Sequence, residues 1–477
     1  MDNKKRFIFR MCGFLFLFPL IMTSCVNSHE ESQHTITSEE SGEEDMLSSI
    51  MKKYDHLKYE YSGEPVSISM CHWTGDGATI ERQVIEAMLK GFNIRYPNIK
   101  VDLDILPDYE STYPSRLAAG NVHDVFMMPD GSFAAWAKTK SCLNLSNFIA
   151  ASDLVIPEKM YQTSLTRYRY NQTTGQPDTN GLQLALPKDI GPMVMYYNKN
   201  AFDEMGVAYP KDDEIMDIEA ARAMWKSLVK KNKNDVVTRY AVSDLSIEGL
   251  VWSAGGDFLN PERTQFPTEE TTIEGLRKGY QFVQDAYVKD CIVPPIEFTS
   301  GSDGKTLFSQ QRVACYIGLK SNVTAFRGLS FDWDVCPIPA FSSVPEKNGW
   351  SGSVGYSVFS KTKYPEAAWK LVEYISSMEG QDILSATGFQ IPSYPEIGYS
   401  EDFLNREKQS KPHNVEAFLM AANNQPYGLW NYRDTQTWKV QGYDVTSELL
   451  FASDPNERWT VEEFLQNAKA KVNSYLG

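Results

Sequence analysis

Strand-like and helix-like stretches alternate along this chain from about Pro65. Pro65-Val-Ser-Ile-Ser-Met-Cys-His-Trp73 has strand character, and the turn residues Thr74-Gly-Asp-Gly-Ala78 end it. Val84, Ile85, Met88, Leu89 and Phe92 then recur at helical spacing, which predicts a helix over 80–96, closed by Pro97-Asn98. Residues 99–106 alternate as a second strand. Residues 113–119 read as a short helix ending at Gly120, and Asp124-Val-Phe-Met-Met128 as a buried strand stopped by Pro129-Asp130-Gly131. This order predicts an α/β fold with right-handed crossovers.

The first residues follow a different pattern. Lys4, Lys5, Arg6 and Arg10 precede an apolar run over 11–22, and Thr23-Ser24-Cys25 follows. A basic start, a short apolar stretch and small residues are the layout of a secretory signal, and the run is too short to span a bilayer comfortably. Cys25 directly after small residues resembles a bacterial lipobox, although Met22 stands where Leu is usual. The resemblance implies a cleaved signal over 1–24, acylation of Cys25, and a membrane lipid anchor facing outside the cytoplasm, on a cell surface or in a periplasm. An ordinary signal with an incidental Cys is the alternative. The stretch 25–64 is acidic, with no aromatic residue before Tyr54, and reads as a disordered, extended tether. A short helix over 46–61 is compatible with it, and the folded body is expected to start near Pro65.

With 477 residues and 42% hydrophobic content, the chain is long enough for two domains. Its net charge of −16 argues against nucleic acid and anionic lipid as ligands. Beyond Cys12 and Cys25, the five cysteines are odd in number and form no CxxC pair, so a disulfide framework is not expected and most should be buried. The six His are scattered and no HExxH occurs, so neither a metal nor a cofactor is expected. Gly349-Trp-Ser-Gly-Ser353 lacks the last Gly of a nucleophile elbow, and Ser302-Asp-Gly-Lys305 is too short for a P-loop. A glycosidase needs only two carboxylates, which spacing alone does not reveal. Binding without catalysis is the better account.

Leu117-Ala-Ala-Gly-Asn-Val-His-Asp-Val-Phe126 resembles a signature of the extracellular solute-binding proteins that serve carbohydrate ABC importers, a family similar in plan to the maltose-binding protein. Further similar segments follow in the family's order. They are Leu186-Pro-Lys-Asp189 with Met195-Tyr-Tyr-Asn-Lys199, Gly255-Gly256 after Trp252, Leu307–Tyr316, Ser351–Phe359 with Tyr364–Leu371, and Gly388-Phe-Gln-Ile-Pro392. The resemblance implies a two-lobed fold with a hinged cleft between α/β lobes. Lobe one is expected at 65–188 plus 354–396, and lobe two at 189–353 plus 397–477. The chain should cross between them near 187–191, 351–355 and within 391–425. It also implies a monomer that closes on a sugar or oligosaccharide and docks on membrane permease subunits. A same-fold receptor for a non-sugar solute or a sensor kinase, and a surface adhesive lipoprotein, are the alternatives.

Ligands of open sheets bind at the carboxyl ends of strands. Sugars present hydroxyls to carboxylates and apolar faces to aromatic rings. Asp76 and Asp130 follow the first and third strands and fall where the resembled family places ligand-contacting acids; the plainer reading is helix capping. Asp189 lies at the first crossing, where hinge loops also use Asp for backbone hydrogen bonds. Trp73, Trp252, Trp350 and Trp430 are the candidate stacking surfaces, and Arg433 a candidate clamp. Trp136, Trp225, Trp333 and Trp369 lie within helix or strand patterns and read as core. The family's Gly-x-Trp platform is replaced by Gly318-Leu-Lys320-Ser-Asn322, so Lys320 or Asn322 is expected to offer polar contacts instead. That substitution opens the reading of an acidic, uronate-bearing ligand.

Overall fold

The computed structural model describes residues 38–74, 78–299, 301–444 and 449–477. Residues 46–477 form one unit, and 1–45 another, of which Ser38–Asp45 is described. Cys25 and Asp76 lie outside the described residues. No helix among the described residues is long and apolar enough to cross a membrane.

The chain begins with helix α1 (Ser38–Lys53), strand β1 (Val66–Trp73), α2 (Ala78–Arg95), β2 (Ile99–Leu106), α3 (Tyr109–Ala119), β3 (Val125–Pro129) and α4 (Asp130–Lys138). Short strands β4 (Arg169–Asn171), β5 (Gln176–Pro177), β6 (Leu182–Gln183) and β7 (Leu186–Pro187) lead into the long β8 (Asp189–Asn198). Then come β9 (Lys230–Lys231), β10 (Val237–Ser243), β11 (Val313–Leu319), β12 (Trp333–Cys336), β13 (Ser351–Gly352), β14 (Val354–Val358) and β15 (Ile391–Pro392).

Two larger sheets result. The first runs β2-β1-β3-β14-β7, with β1 parallel to β2 and β3. The second runs β12-β8-β11-β10-β9, with β13 and β15 also paired to β8. Each sheet has its own apolar core. One contains Met70, Phe92, Met127, Tyr356 and Leu371; the other side holds three clusters, around Tyr196 and Phe418, Met195 and Trp225, and Trp252 and Phe464. We call the two bodies lobe one and lobe two. The chain passes between the sheets at Lys188, between β7 and β8, and at Ser353, between β13 and β14. A third passage spans β15 to Phe403, because Tyr394 and Ile397 still pack in lobe one while Phe403 packs in lobe two.

Local sequence explains these elements. Val84, Ile85, Met88, Leu89 and Phe92 of α2 are all buried, as their spacing predicts. Helix α3 starts four residues before the predicted 113, because Tyr109 and Tyr113, one turn apart, stack at 4.5 Å in the core. It ends on Gly120 at φ 69°, a left-handed turn that suits glycine. Trp136, Trp225, Trp333 and Trp369 are buried. All five described cysteines are free; Cys71, Cys142, Cys315 and Cys336 are buried and Cys291 is exposed.

The expectation of a disordered tether up to residue 64 is corrected for residues 46–64. Leu47, Met51 and Tyr54 are buried in lobe one. Lys53 and Tyr54 bond the Asp382 carboxylate at 2.8 and 3.0 Å, and Arg95 holds Asp55 at 2.9 Å. The acidic composition concealed an apolar stripe at helical spacing, so the folded body starts near Met46 rather than Pro65.

Candidate functional site

The carboxyl ends of β1 and β3 in lobe one, and of β11 in lobe two, converge on a cleft of about 690 Å³. Trp73 ends β1 and Thr74 follows it, Pro129 ends β3 and Asp130 follows it, and Leu319 ends β11 with Lys320 and Ser321 after it. Trp350 and Trp430 form one wall, with ring centroids 4.7 Å apart and planes at 84°. Edge-to-face contact is a favoured aromatic geometry and leaves part of both rings open to the cleft. Gly428 makes the fold of this wall possible, since a Cβ there would stand 2.3 Å from the Trp430 ring. Phe389 adds a further apolar surface.

Asp130 opens α4, and its carboxylate is tied from beneath by Arg167, whose Nη1 donates to Oδ2 at 2.7 Å. Arg167 is itself fully buried. It also donates to the Ser351 carbonyl and to Ser351 Oγ, both at 2.8 Å, and from Nε to the Thr163 carbonyl at 2.9 Å. Burial raises the pKa of Asp130 above the ordinary carboxylate value, against the pull of Arg167. Glu110, in the first turn of α3, reaches the same cleft. Its pKa is also raised, first by burial and then by Asp130. No hydrogen bond or ion pair engages Glu110 among the described residues.

The floor is the hinge. Lys188 donates to both Glu81 oxygens at 2.8 and 2.9 Å, and stands 3.5 Å from Asp189. Burial works against the ammonium, but the two carboxylates outweigh it and raise its pKa. Gln390 donates to Glu81 at 2.7 Å. The Val354 amide donates to Asp189 Oδ1 at 3.0 Å, and Ser353 Oγ donates to the Asp189 carbonyl at 2.7 Å. The first two crossings are thus fastened to each other and to α2.

Of the residues singled out from sequence, Trp73, Asp130, Asp189, Trp350 and Trp430 line one cleft. Asp189 is there chiefly as a hinge residue, since both of its carboxylate oxygens have partners. Three expectations are corrected. Trp252 is 4% exposed in the core of lobe two, edge-on to Phe258 and with Nε1 directed at Asp257. Its helix, Ile247–Ser253, is buried along most of its length, so the side chain turns into the core. Arg433 donates to the Arg263 carbonyl at 3.0 Å and props a loop rather than the cleft. Lys320 borders the cleft, but its buried Nζ is directed away to the Gly388 carbonyl at 2.9 Å and Glu407 at 3.2 Å. Asn322 bonds the Tyr316 hydroxyl.

Arg167, Glu81, Glu110, Lys188, Phe389 and Gln390 were not singled out from sequence. Arg167 carries no local motif; Lys188 lies in the Leu186–Asp189 segment, but nothing there marks its role, and the partners of Lys188 and Gln390 lie 107 and 309 residues away. Among the described residues the cleft therefore offers carboxylates and aromatic rings, with no free cation facing it.

This arrangement, two α/β lobes joined by a multi-strand hinge around an aromatic and acidic cleft, defines a hinged solute-binding protein. Residues 74–382 match the bacterial extracellular solute-binding protein family, and the chain belongs to it. A putative binding protein of Brucella abortus is 24% identical over 225 residues, 45% of this chain and 52% of its own length. The chain thus spans about half the length of the curated relatives it matches. The fold is similar to that of an ABC substrate-binding protein from Listeria monocytogenes in complex with cycloalternan, at 19% identity and a TM-score of 0.67, covering 86% of this chain and 99% of that one. It is equally similar to the sugar-binding protein MalE from Xanthomonas citri, at 16% identity and a TM-score of 0.67, covering 86% and 97%. Its family and fold are those of proteins that bind solutes.

Proposed function

We propose that this protein captures a neutral sugar or oligosaccharide between its lobes and delivers it to the permease of an ABC importer, without chemical change. The observation that carries this reading is the lining of the cleft. Trp73, Trp350, Trp430 and Phe389 offer apolar faces for sugar C–H surfaces, and Asp130 and Glu110 offer acceptors for hydroxyls. A uronate is disfavoured, because the cations near the cleft are already engaged: Arg167 by Asp130, Lys188 by Glu81, and Lys320 by Glu407. The Listeria protein, described in complex with cycloalternan, and the Xanthomonas protein, described as sugar-binding, support the same class of ligand. Acylation at Cys25 would hold the protein at the membrane, outside the cytoplasm, as a monomer.

Closure would bring lobe two over a ligand seated at Asp130, with the fastened crossings as the pivot. The test is thermal unfolding of the protein against neutral and acidic mono- and oligosaccharides. A ligand that binds only the folded state raises the midpoint, by about 2.7 kcal/mol of stability at a hundredfold excess over Kd. A shift with a neutral sugar that is recovered unchanged supports the proposal. A shift confined to acidic sugars, or breakdown of the sugar, refutes it.

A further inference from the structure

We infer that lobe one carries a site for a thiophilic divalent cation of the zinc class, held by Cys71, Asp104 and His123. Among the described residues this is the group of three where one ligand atom from each side chain lies within 4.8 Å of the others. The sheet builds it. Cys71 and Asp104 are direct partners in the parallel β1–β2 pair, and His123 precedes β3. His123 stands 3.3 Å from Asp104 through Nε2, and its Nδ1 is 3.4 Å from the Tyr113 hydroxyl. Tyr113 also stacks on the imidazole, with centroids 6.1 Å apart, which fixes the ring. None of the three lines the cleft.

The donor set is one sulfur, one nitrogen and one oxygen, the mixture that zinc accepts in tetrahedral sites. Entry is open on the Asp104 side, whose side chain is 44% exposed, while Cys71 is buried and His123 nearly so. A water can take the fourth position there. Burial lowers the His123 pKa against the pull of Asp104, which favours the form that offers a lone pair. Burial, with Asp104, also pushes the Cys71 thiol up to about 12. The thiol is therefore protonated before the cation arrives. Binding releases that proton to solvent as the sulfur lone pair forms the bond to the metal, with no change of oxidation state. Arg116 opposes the cation electrostatically, and the Asp104 carboxylate offsets it. The bound ion would tie the edge strand β2 to β1 and to the approach to β3, the strand that presents Asp130. The spacing along the chain conceals the group, because its members come from β1, β2 and the loop before β3, with α2 and α3 between them.

Cobalt(II) is the probe, titrated into the intact protein and followed by absorption. The expected result is one equivalent bound with a thiolate-to-cobalt charge-transfer band, displaced by zinc. That band should vanish in Cys71→Ser and weaken in His123→Gln and Asp104→Asn, with unfolding midpoints recorded for each variant. Asp104→Asn, at a half-exposed position, keeps the test open if Cys71→Ser fails to fold. No band on the unaltered protein overturns the inference. So does a band that persists in Cys71→Ser, or one of unchanged affinity in both His123→Gln and Asp104→Asn.

Discussion

The Lys138 ammonium stands 2.6 Å from the Asp434 carboxylate and joins the two lobes beside the cleft. Lys138 ends α4 of lobe one, and Asp434 follows the Trp430 loop, whose Leu429 and Tyr432 are rooted in the core of lobe two. Gln176 of β5 bonds the same carboxylate at 3.2 Å. In the proposed closure the pair would act as a clasp. Burial pushes the Asp434 pKa up, but the bonds from Lys138 and Gln176 outweigh it and hold it below the ordinary value. A depressed carboxylate pKa adds stability above the ordinary carboxylate range, and that contribution is lost as pH falls through the depressed value. The clasp is thus intact at neutral pH. Asp434→Asn is expected to weaken ligand affinity about two- to fivefold, because Lys138 is exposed and such pairs are modest. Titrations at rising salt check it: affinity should fall with salt in the unaltered protein and fall less in the variant.

Arg167 is the structural centre of the site. Removing one partner of a buried ion pair leaves an uncompensated charge, at a cost of about 3–5 kcal/mol. Arg167→Met should therefore lower stability by that order, as measured by denaturant unfolding. Asp130→Asn leaves the buried Arg167 guanidinium without its carboxylate, so it should lower stability by a similar order and weaken ligand affinity as well. An Arg167→Met variant as stable as the unaltered protein would contradict this role.

Trp350→Ala and Trp430→Ala should each weaken sugar binding by about 2 kcal/mol or more if the rings are stacking anchors. Their contact at 4.7 Å makes the double variant non-additive, by about 0.5–1.5 kcal/mol. Trp252→Ala should instead lower the unfolding midpoint through a core cavity. Calorimetric titration and thermal unfolding of the same variants separate the two effects.

The segment before Pro65 gives a fourth prediction. A chain that starts at Pro65 loses the buried side chains of Leu47, Met51 and Tyr54 and the bonds to Asp382. Each such side chain is worth about 1.5–3 kcal/mol before the cost of ordering the segment. Its unfolding midpoint should lie below that of a chain starting at Met46. Equal midpoints would show that the segment only rests on lobe one.

The sequence made the first half of lobe one legible, because strand alternation and the Val84–Phe92 stripe dictate the same elements that form. It also pointed to Asp130 at a strand end and Trp350 at a crossing, and to Trp430 through its aromatic loop and the family resemblance. It misplaced Trp252, because a glycine-flanked Trp reads alike whether its helix turns it toward a cleft or a core. Lys320 misled for a related reason: a lysine at a strand end gives no sign of the distant Glu407 that turns its ammonium away. Arg167 and the Glu81–Lys188 pair escaped notice because nothing local marks a buried charge; only the partner does, and the partners are 37 and 107 residues away. The acidic approach to Pro65 was read by composition, which averaged over the apolar stripe that docks it.

The most direct test is a calorimetric titration of a neutral oligosaccharide and its uronate-bearing counterpart into the unaltered protein and into Trp430→Ala. The account predicts that the neutral sugar binds, that the uronate binds at least tenfold more weakly, a difference of about 1.4 kcal/mol, and that Trp430→Ala weakens the neutral sugar. Tighter binding of the uronate, or a neutral sugar indifferent to Trp430, would contradict it.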